Sequence, residues 1–363
     1  IMTSAFKPPA MREYAKKIQR IVAKAVDRWA VQDSILVYDE IKRLLLEIAF
    51  DVFCWVDDSE SVVPQISKAF TDMMEGALGI VRLDLPGFSY HRGLEGRRFL
   101  KQFFLDRIEK KRASDDQDFF AHFCKEKTEE GEYYSDEDIA DHMIFLMLAA
   151  HDTTTSASTM AAYHLGNDYA LQAKLAAEVA QWPDELPFET VFHSTNGLIC
   201  VFYETIRMHP PVPLFLRRTI RECDFGGVKV PPDTMVCVPS TYVHRLPDWW
   251  RNPDEFDPTR FSDEVAEHRK HNFMWVPFGG GAHKCIGMHF ARMLFLLTFR
   301  EVLGSYRIDF AKDDYYPAKL QHFPFTRPLD SLPIRLVAHR RGAAKLDQRA
   351  EQQSHNADQV CAS

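Results

Sequence analysis

Apolar residues recur at intervals of three and four along most of the chain up to residue 208, and this spacing predicts amphipathic α-helices. Short apolar runs separated by glycine and proline turns follow, and these predict strands. The pattern therefore indicates a fold that is mainly α with a minor β portion. Helices are expected near 11–30, 37–55, 61–81, 94–112, 135–165, 167–181 and 194–208, and strands within 214–240, 305–310 and 333–338.

The longest predicted helix begins at Ser135, which is expected to cap it in a box with Asp138. About 30 residues follow without a break, which corresponds to ~45 Å of helix. Residues 143–150 are apolar on every side of this helix, and this composition predicts that they are buried.

A polar segment, AAHDTTTS, interrupts the same helix from residue 149 to residue 156. The carboxylate of Asp152 is costly to bury beside hydroxyl groups unless it is paired or takes part in chemistry. Two interpretations stay open from these residues alone. The segment is either a functional acid–hydroxyl pair or a polar layer where two helices cross.

The helix at 194–208 carries Glu204 and Arg207, which lie three positions apart on one face beside an apolar stripe. The spacing predicts an ion pair. The pair is either partly buried, or exposed to solvent, in which case it adds little to stability. Earlier in the chain, the loop LDLPGFSYHRG at 83–93 separates two helices and is either a lid or a plain connection.

The segment FGGGAHKCIG, at 278–287, precedes another helix-like apolar run. Three consecutive glycines let the backbone pass close to a flat or bulky partner. Cys285 lies at the start of the following helix, where free N–H groups and the helix dipole favour a thiolate. From this pattern alone, Cys285 is either a presented ligand or a buried thiol in a glycine-rich turn.

Composition narrows the possible functions. The 27 phenylalanines suggest a large apolar interior or pocket, and the net charge of −8 argues against a nucleic-acid partner. Seven scattered cysteines without a CxxC pair argue for a reducing compartment, and against a disulfide framework or a zinc site. No apolar run is long enough to span a bilayer and no signal-peptide pattern occurs, so a cytoplasmic location is expected.

Four motifs occur in order: AAHDTT (149–154), ETIR (204–207), FDPTRF (256–261) and FGGGAHKCIG (278–287). From about Ala5 to Val337 the chain resembles the cytochrome P-450 family of haem-thiolate monooxygenases. Its last motif matches the family's Phe-x-x-Gly-x-x-x-Cys-x-Gly loop at every fixed position. The resemblance implies the cytochrome P-450 fold in a single domain over 1–340. The polar residues 341–363 are expected to form a disordered tail.

The resemblance implies that the cofactor is haem b, iron protoporphyrin IX, with Cys285 as the thiolate ligand of its iron. Phe278 would pack against the loop and shield the sulfur from water. His283 stands where many members have Arg, and either residue would donate to a haem propionate. The further cofactor contacts that the resemblance implies are Gly279, Gly287 and Arg217, with Arg218 as the alternative to Arg217.

Glu204, Arg207 and Arg260 resemble the structural triad that holds the cysteine loop behind the haem. Asp152 and Thr153 resemble the catalytic acid–alcohol pair on the helix above it. A hydroxyl can hold oxygen and a water, and a carboxylate can pass protons to them. The family usually has Gly in place of residue 150, so Ala at this position implies a slightly narrower oxygen groove.

By position in the family, the substrate pocket would use apolar residues that could equally belong to the core. They imply a hydrophobic small molecule such as a fatty acid, a terpenoid or a sterol-like compound. O2 would be the co-substrate, and electrons would come from NAD(P)H through a ferredoxin or flavoprotein reductase, with a monomer expected. The implied pocket residues are Phe145, Ala149, Val212, Leu214 and Phe215, together with residues near Phe323 and Phe325.

The first residues resemble a segment that follows the helix at the haem edge, so an N-terminally truncated fold is expected, without the first helices and most of the larger sheet. A missing upstream membrane anchor stays possible. Lys270, Lys284 and Arg292 offer positive charge on the expected docking face for the electron donor. Two alternatives to a monooxygenase stay open: a haem-thiolate peroxygenase or isomerase, which Asp152 and Thr153 argue against, and a truncated relic that binds haem poorly.

Overall fold

The structure is a computed structural model that describes residues 6–54, 59–116, 118–128, 130–184, 186, 188, 195–322 and 325–339. The predicted tail at 341–363 and Phe323 lie outside the described residues, so both stay predictions. Helices dominate the described chain. They are α1 (Pro8–Ala30), α2 (Val37–Ala49), α3 (Ser59–Leu78), α4 (Ser89–Ala113), α5 (Phe119–Lys125), α6 (Asp136–Asn167), α7 (Tyr169–Val179), α8 (Gly197–Met208), α9 (Ser240–Val243) and α10 (Met288–Ser305).

Strands form a minor portion of the fold, as predicted. A three-stranded antiparallel sheet has the order β1-β9-β6, so it joins the early chain to its end, with Ile35 opposite Ile334. The described chain also forms three two-stranded antiparallel sheets, in which β2 pairs with β5, β3 with β4, and β7 with β8. The strands are β1 (Ile35–Leu36), β2 (Leu214–Arg218), β3 (Cys223–Phe225), β4 (Val228–Val230), β5 (Met235–Pro239), β6 (Tyr306–Phe310), β7 (Leu320–Gln321), β8 (Arg327–Pro328) and β9 (Pro333–Ala338).

Helix α6 begins as predicted. The Asp138 N–H donates to Ser135 Oγ at 3.1 Å, and Ser135 Oγ donates to the Asp138 carboxylate at 2.6 Å. The cap satisfies an N–H group that would otherwise lack a partner in the first turn. The helix then runs for 32 residues through the centre of the fold.

The prediction that residues 143–150 are buried on all sides is wrong. Phe145 is 60% exposed, and Ala149 is exposed as well, whereas Ile144 and Met147 are buried. Phe145 and Ala149 lie four residues apart and share one face of α6. An apolar face that lines open space has the same sequence pattern as a core face, so hydropathy could not distinguish the two.

The connection between α3 and α4 differs from the predicted loop at 83–93, because α4 already begins at Ser89. The two helices pack very closely: a Cβ added to Gly76 would lie 2.8 Å from the Cα of Gly93. Every residue from Val81 to Phe88 is exposed. Helices α5 and α9 were not predicted, because 7 and 4 residues are too few to show a helical period.

An aromatic core holds α1, α10 and the π-helical turn that follows α2 together. The ring of Phe53 lies 5.1 Å from that of Phe290 and 5.9 Å from that of Tyr14. Phe202 of α8 packs against Phe295 of α10 at 4.8 Å. Helix α8 also packs on α6. These contacts therefore fix the positions of α6 and α8, which carry predicted site residues, and of α10, which follows the cysteine loop. Within the described part of the chain, no helix combines the length and apolar character needed to cross a membrane.

Candidate active site

The loop from Phe278 to Gly287 presents Cys285 on its surface. The Cys285 N–H donates to the Phe278 carbonyl at 2.9 Å and closes the loop. Gly279 and Gly281 adopt φ angles of 70° and 68°, a region that favours glycine. The Cys285 side chain is exposed, so the alternative of a buried thiol is wrong.

Two opposing effects act on the Cys285 thiol. Partial burial raises its pKa, and the backbone N–H of Gly287 lowers it, with a net rise. The loop alone therefore does not stabilise a thiolate, contrary to the expectation from the helix dipole. A bound metal ion would supply the missing stabilisation, because a coordinating thiol is deprotonated outright.

The surroundings of Cys285 fit a large, flat, apolar group. Ile286 is 42% exposed and Phe273 is 63% exposed, although water is a poor environment for both. A Cβ built on Gly280 would lie 3.5 Å from the Phe273 ring, and one built on Gly281 would have no atom within 4 Å. The loop thus faces open space with apolar side chains at its margin, as haem binding through Cys285 would require.

Strand β2 lies beside this loop, since a Cβ on Gly279 would lie 3.8 Å from the ring of Phe215. Arg218 on this strand forms an ion pair with Asp233 at 2.6 Å. Arg217 donates to the Leu216 carbonyl at 2.8 Å, and among the described residues no carboxylate pairs with it. Of the two predicted arginines, Arg217 is therefore the one available to an anionic group. His283 is exposed at the end of a 3-10 turn in the cysteine loop.

The residues near the start of β2 leave apolar surface open. Val212 is 38% exposed and Leu214 is 49% exposed, and Phe215 is half-buried. The side chain of Ser240, on α9, donates to the Val212 and Pro213 carbonyls at 3.0 Å each and holds this segment in place. Phe325 is half-buried.

The predicted ion pair of Glu204 and Arg207 is completely buried, with 0% exposure for both residues. Arg207 donates to both Glu204 carboxylate oxygens, at 2.6 and 2.9 Å. Arg260, at 1% exposure, donates to Glu204 Oε1 at 3.3 Å, so all three residues of the predicted triad meet. The Asp257 N–H adds a bond of 2.8 Å to the same oxygen. Burial raises the pKa of Glu204, and the hydrogen bonds from Arg207 oppose that rise.

The two guanidinium groups extend this network into the irregular segment that follows. Arg207 Nη1 donates to the carbonyls of His244 and Pro253, both at 2.8 Å. Arg260 also donates to the carboxylate of Glu267 at 3.2 Å. The network therefore clamps the chain between α9 and the cysteine loop onto the end of α8.

The polar segment of α6 contains a second buried cluster. Asp152 is 4% exposed, and its Oδ1 lies 3.4 Å from Lys42 Nζ and 3.3 Å from His151 Nε2. Neither Asp152 Oδ1 nor His151 Nε2 has a hydrogen-bond partner among the described residues. Burial lowers the pKa of His151. The carboxylate is thus surrounded by polar groups but incompletely satisfied.

Thr153 is half-buried on the same face of α6 as the exposed Phe145 and Ala149. Its hydroxyl donates to the Ala149 carbonyl at 3.0 Å, a local bond that leaves its oxygen lone pairs free to accept. The cysteine loop adjoins β2, and the charge network bonds to the segment that leads into the loop. The face with Thr153 is linked to them indirectly, because α6 packs on both α8 and α10.

Two residues of this arrangement were missed by sequence reasoning. Lys42 lies beside the buried stripe of α2. Its position near the buried residues Ile41 and Leu45 could have indicated a lysine that pairs with a buried carboxylate. His244 accepts a hydrogen bond from the backbone N–H of Val276 at 2.9 Å. A single histidine in an irregular segment gave no such signal.

Known proteins of one family are similar to this chain. A sequence profile of the cytochrome P-450 family matches residues 1–332. The chain is 35% identical over 339 residues to the protein named cytochrome P-450 136 of Mycobacterium tuberculosis, covering 92% of this chain and 68% of that protein. It is 27% identical over 360 residues to a beta-amyrin 28-monooxygenase of Medicago truncatula, covering 94% of this chain and 72% of that enzyme.

The fold is also similar to solved structures. A cyanobacterial cytochrome P-450 with bound retinoic acid superposes with a TM-score of 0.84 at 24% identity, over 93% of this chain and 77% of that one. An exposed cysteine on a glycine-rich loop, in a mainly helical fold, is the arrangement expected of a haem-thiolate protein. The chain belongs to the cytochrome P-450 family. It is a haem monooxygenase of that family.

Proposed function

We propose that the protein binds haem b through Cys285 and oxidises a hydrophobic small molecule. The observation that carries this proposal is the exposed Cys285 thiol on a closed glycine loop, bordered by the exposed apolar groups of Ile286 and Phe273. Haem, when bound, supplies the activation of O2 by which one oxygen atom enters a C–H or C=C bond.

The chain's own residues hold the cofactor in this proposal. Arg217 and His283 donate to its propionate groups, as cations and ring N–H donors do. The ring of Phe278 lies 6.4 Å from that of Phe202 and 6.1 Å from that of Trp275, and this packing anchors the start of the loop. Phe278 and the bound haem would together shield the exposed sulfur of Cys285 from water. Gly279 and Gly287 keep side chains away from the cofactor.

The triad of Glu204, Arg207 and Arg260 has a structural role in this proposal. Its hydrogen bonds end on backbone carbonyls of the segment between α9 and the cysteine loop. A satisfied, buried network of this kind fixes one backbone arrangement. The loop that presents Cys285 therefore starts from a rigid base.

Asp152 and Thr153 handle protons and water in this proposal. The Thr153 hydroxyl already donates to a carbonyl, so its oxygen accepts a hydrogen bond from a water on the open face of α6. Asp152 exchanges protons with such a water, and Lys42 at 3.4 Å provides the opposite charge that a buried carboxylate requires. Asp152 Oδ1 is buried and has no hydrogen-bond partner among the described residues, so a water that reached it would satisfy its acceptor capacity.

The proposed substrate is a hydrophobic small molecule, and of the three classes expected we favour a terpenoid. The exposed apolar side chains of Phe145, Val212 and Leu214 can line such a site, together with Ala149 and Phe215. The names of two relatives carry abscisic acid and beta-amyrin, which are terpenoid compounds, and a similar fold holds retinoic acid.

The proposed electron donor is a ferredoxin or flavoprotein reductase that draws on NAD(P)H. Lys284 is exposed in the cysteine loop and offers positive charge on the side of the expected docking face. Lys270 is less available, because it pairs with Glu267 at 3.3 Å.

Oxygen incorporation tests the proposed reaction. The protein is loaded with haem and supplied with NADPH, a ferredoxin and its reductase, and a panel of terpenoids, fatty acids and sterols under ¹⁸O₂. We expect a product that carries one ¹⁸O atom and depends on NADPH. A product that forms only when hydrogen peroxide replaces O2 and NADPH, and that carries ¹⁸O only when the peroxide is labelled, would favour a peroxygenase. No product from any class, with haem bound, would contradict the monooxygenase activity of this chain.

A further inference from the structure

His244 is buried between the charge network and the cysteine loop. Its exposure is 0%, and it follows the short helix α9 directly. One ring nitrogen, Nδ1, lies 3.1 Å from the Arg207 carbonyl. The other, Nε2, accepts from the Val276 N–H at 2.9 Å. The imidazole thus connects the end of α8 to the segment that enters the cysteine loop.

The two partners fix the tautomer of His244. A carbonyl can only accept, so Nδ1 of His244 carries the proton and donates to Arg207. A backbone N–H can only donate, so Nε2 is unprotonated and accepts from Val276. The neutral ring therefore satisfies both groups at once, and a protonated ring could not accept from Val276.

A short series of backbone hydrogen bonds leads from His244 to Cys285. The Val276 carbonyl accepts from the Gly279 N–H at 3.0 Å. The carbonyl of Phe278, next to Gly279, accepts from the Cys285 N–H at 2.9 Å. Val276 is therefore held on both sides, by His244 through its N–H and by Gly279 through its carbonyl.

We propose that His244 is a positioning residue for the Cys285 loop, acting through its acceptor bond to the Val276 N–H. This inference rests on the proposed ligand role of Cys285. It assigns the two ring nitrogens different tasks. Nδ1 anchors the ring to Arg207, and Nε2 sets the backbone position from which the loop starts.

Two amide substitutions separate these tasks. In His244→Asn, the side-chain amide reaches the position of Nδ1 and can still donate to Arg207, but Val276 loses its acceptor. In His244→Gln, the longer side chain places its oxygen near Nε2, so the bond from Val276 is kept and the bond to Arg207 is lost. Ser240→Ala is the matched control, because it removes two side-chain bonds from the same short helix without a link to Val276.

Hydrogen–deuterium exchange measures the bond directly in the haem-free full chain. The first two residues of a peptide lose their label and residue 277 is a proline without an N–H, so a peptide from Phe273 to Phe278 reports Trp275, Val276 and Phe278. We expect exchange at Val276 to become about tenfold faster in His244→Asn, as expected for the loss of one hydrogen bond. His244→Gln and Ser240→Ala should exchange there like the wild type.

Haem retention gives the second readout. Transfer of haem to apomyoglobin should be faster from His244→Asn than from His244→Gln, and the reduced carbon monoxide spectrum should lose its thiolate band only in the Asn variant. The proposal would be overturned if the two amide variants behaved equally. They would do so if both matched the wild type, or if both showed faster exchange at Val276 and faster loss of haem. If His244→Asn does not fold, a folded His244→Gln with wild-type exchange at Val276 still supports it, and an unfolded His244→Gln overturns it. A wild type without a thiolate band would instead contradict the role of Cys285.

Discussion

Two carboxylates are buried on helices that pack against each other, and their surroundings differ. Glu204 on α8 receives four short contacts, from Arg207 twice, from the Asp257 N–H and from Arg260. Asp152 on α6 has a cation at 3.4 Å and lacks a hydrogen-bond partner for Oδ1 among the described residues. A fully satisfied network fixes structure, whereas an unsatisfied buried group is typical of a functional site. The difference agrees with the opposite roles that we propose for these two residues of the same charge.

The largest expected effect follows from Glu204→Gln. The substitution leaves the guanidinium group of Arg207, at 0% exposure, without its counter-charge, and Arg260 keeps only its ion pair with Glu267. Breaking a buried pair in this way costs about 3–5 kcal/mol. We expect the midpoint of urea denaturation to fall accordingly and haem to be lost. Arg218→Gln, which breaks an exposed ion pair with Asp233, is the control and should cost at most about 1 kcal/mol. Equal effects of the two variants would contradict a structural role for the network.

The second-largest effect is expected from acid, which should lower the free energy of unfolding. Burial lowers the pKa of His164 to about 3 and that of His244 to about 4. Both histidines are stable in the fold as neutral rings, so their contribution is complete above about pH 6.5 and is lost as the pH falls toward about 4. Each should reduce the free energy of unfolding by about 1.4 kcal/mol per pH unit in that window. Urea titrations between pH 7 and pH 4.5 measure the slope.

His164→Gln tests the source of this slope. His164 Nε2 meets His209 Nε2 at 2.9 Å, and Arg207 and Arg245 also disfavour a proton on His164. Burial and the His164 ring likewise lower the pKa of His209. The variant should lose stability at pH 7 and show a shallower slope. An unchanged slope would show that other groups cause the acid sensitivity.

Asp152→Asn should affect activity more than stability, the opposite of Glu204→Gln. The amide keeps the size of the side chain and removes a buried charge, and Lys42 can turn toward water because 17% of its side chain is exposed. We expect a change of about 1 kcal/mol in the free energy of unfolding, well below that of Glu204→Gln. Turnover should fall by roughly 10²-fold, the range for loss of a proton-transfer group. Lys42→Met, compared with Lys42→Arg, should lower turnover in the same direction. A destabilisation equal to that of Glu204→Gln would remove the contrast between the two sites.

The smallest change in stability is expected for Thr153→Ala, because the hydroxyl is half-buried and bonds only within its own helix. We expect a change within about 0.5 kcal/mol. The ratio of product to NADPH consumed should fall, with hydrogen peroxide formed instead, because the accepting hydroxyl no longer holds water in place. Stopped assays for product, NADPH and peroxide measure this ratio. A constant ratio would contradict the role proposed for Thr153.

The sequence was most informative where local spacing decides structure. The cap of Ser135 with Asp138 and the pair of Glu204 with Arg207 both follow from three-residue spacing in a helix. The depth of that pair could not be read from spacing, since burial depends on segments such as 252–257 that pack against it. The burial of residues 143–150 was predicted wrongly for a related reason, because Phe145 faces open space instead of a core.

The contacts that sequence reasoning missed join distant parts of the chain. Lys42 lies 110 positions before Asp152, and His244 lies 32 positions before Val276. No periodicity reports such pairs, because only the tertiary packing of α2 on α6, and of α9 near the cysteine loop, brings them together. The motifs identified the family, and the structure added the residues that support its site.

The reduced carbon monoxide difference spectrum of the haem-loaded protein tests the role of Cys285 most directly. It is recorded for the wild type and for Cys285→Ser, with Cys237→Ser, the other exposed cysteine of the described chain, as the control. We predict the red-shifted band of thiolate ligation in the wild type and in Cys237→Ser, and its absence in Cys285→Ser. A wild type that binds haem without this band, or a band that survives in Cys285→Ser, would contradict the account.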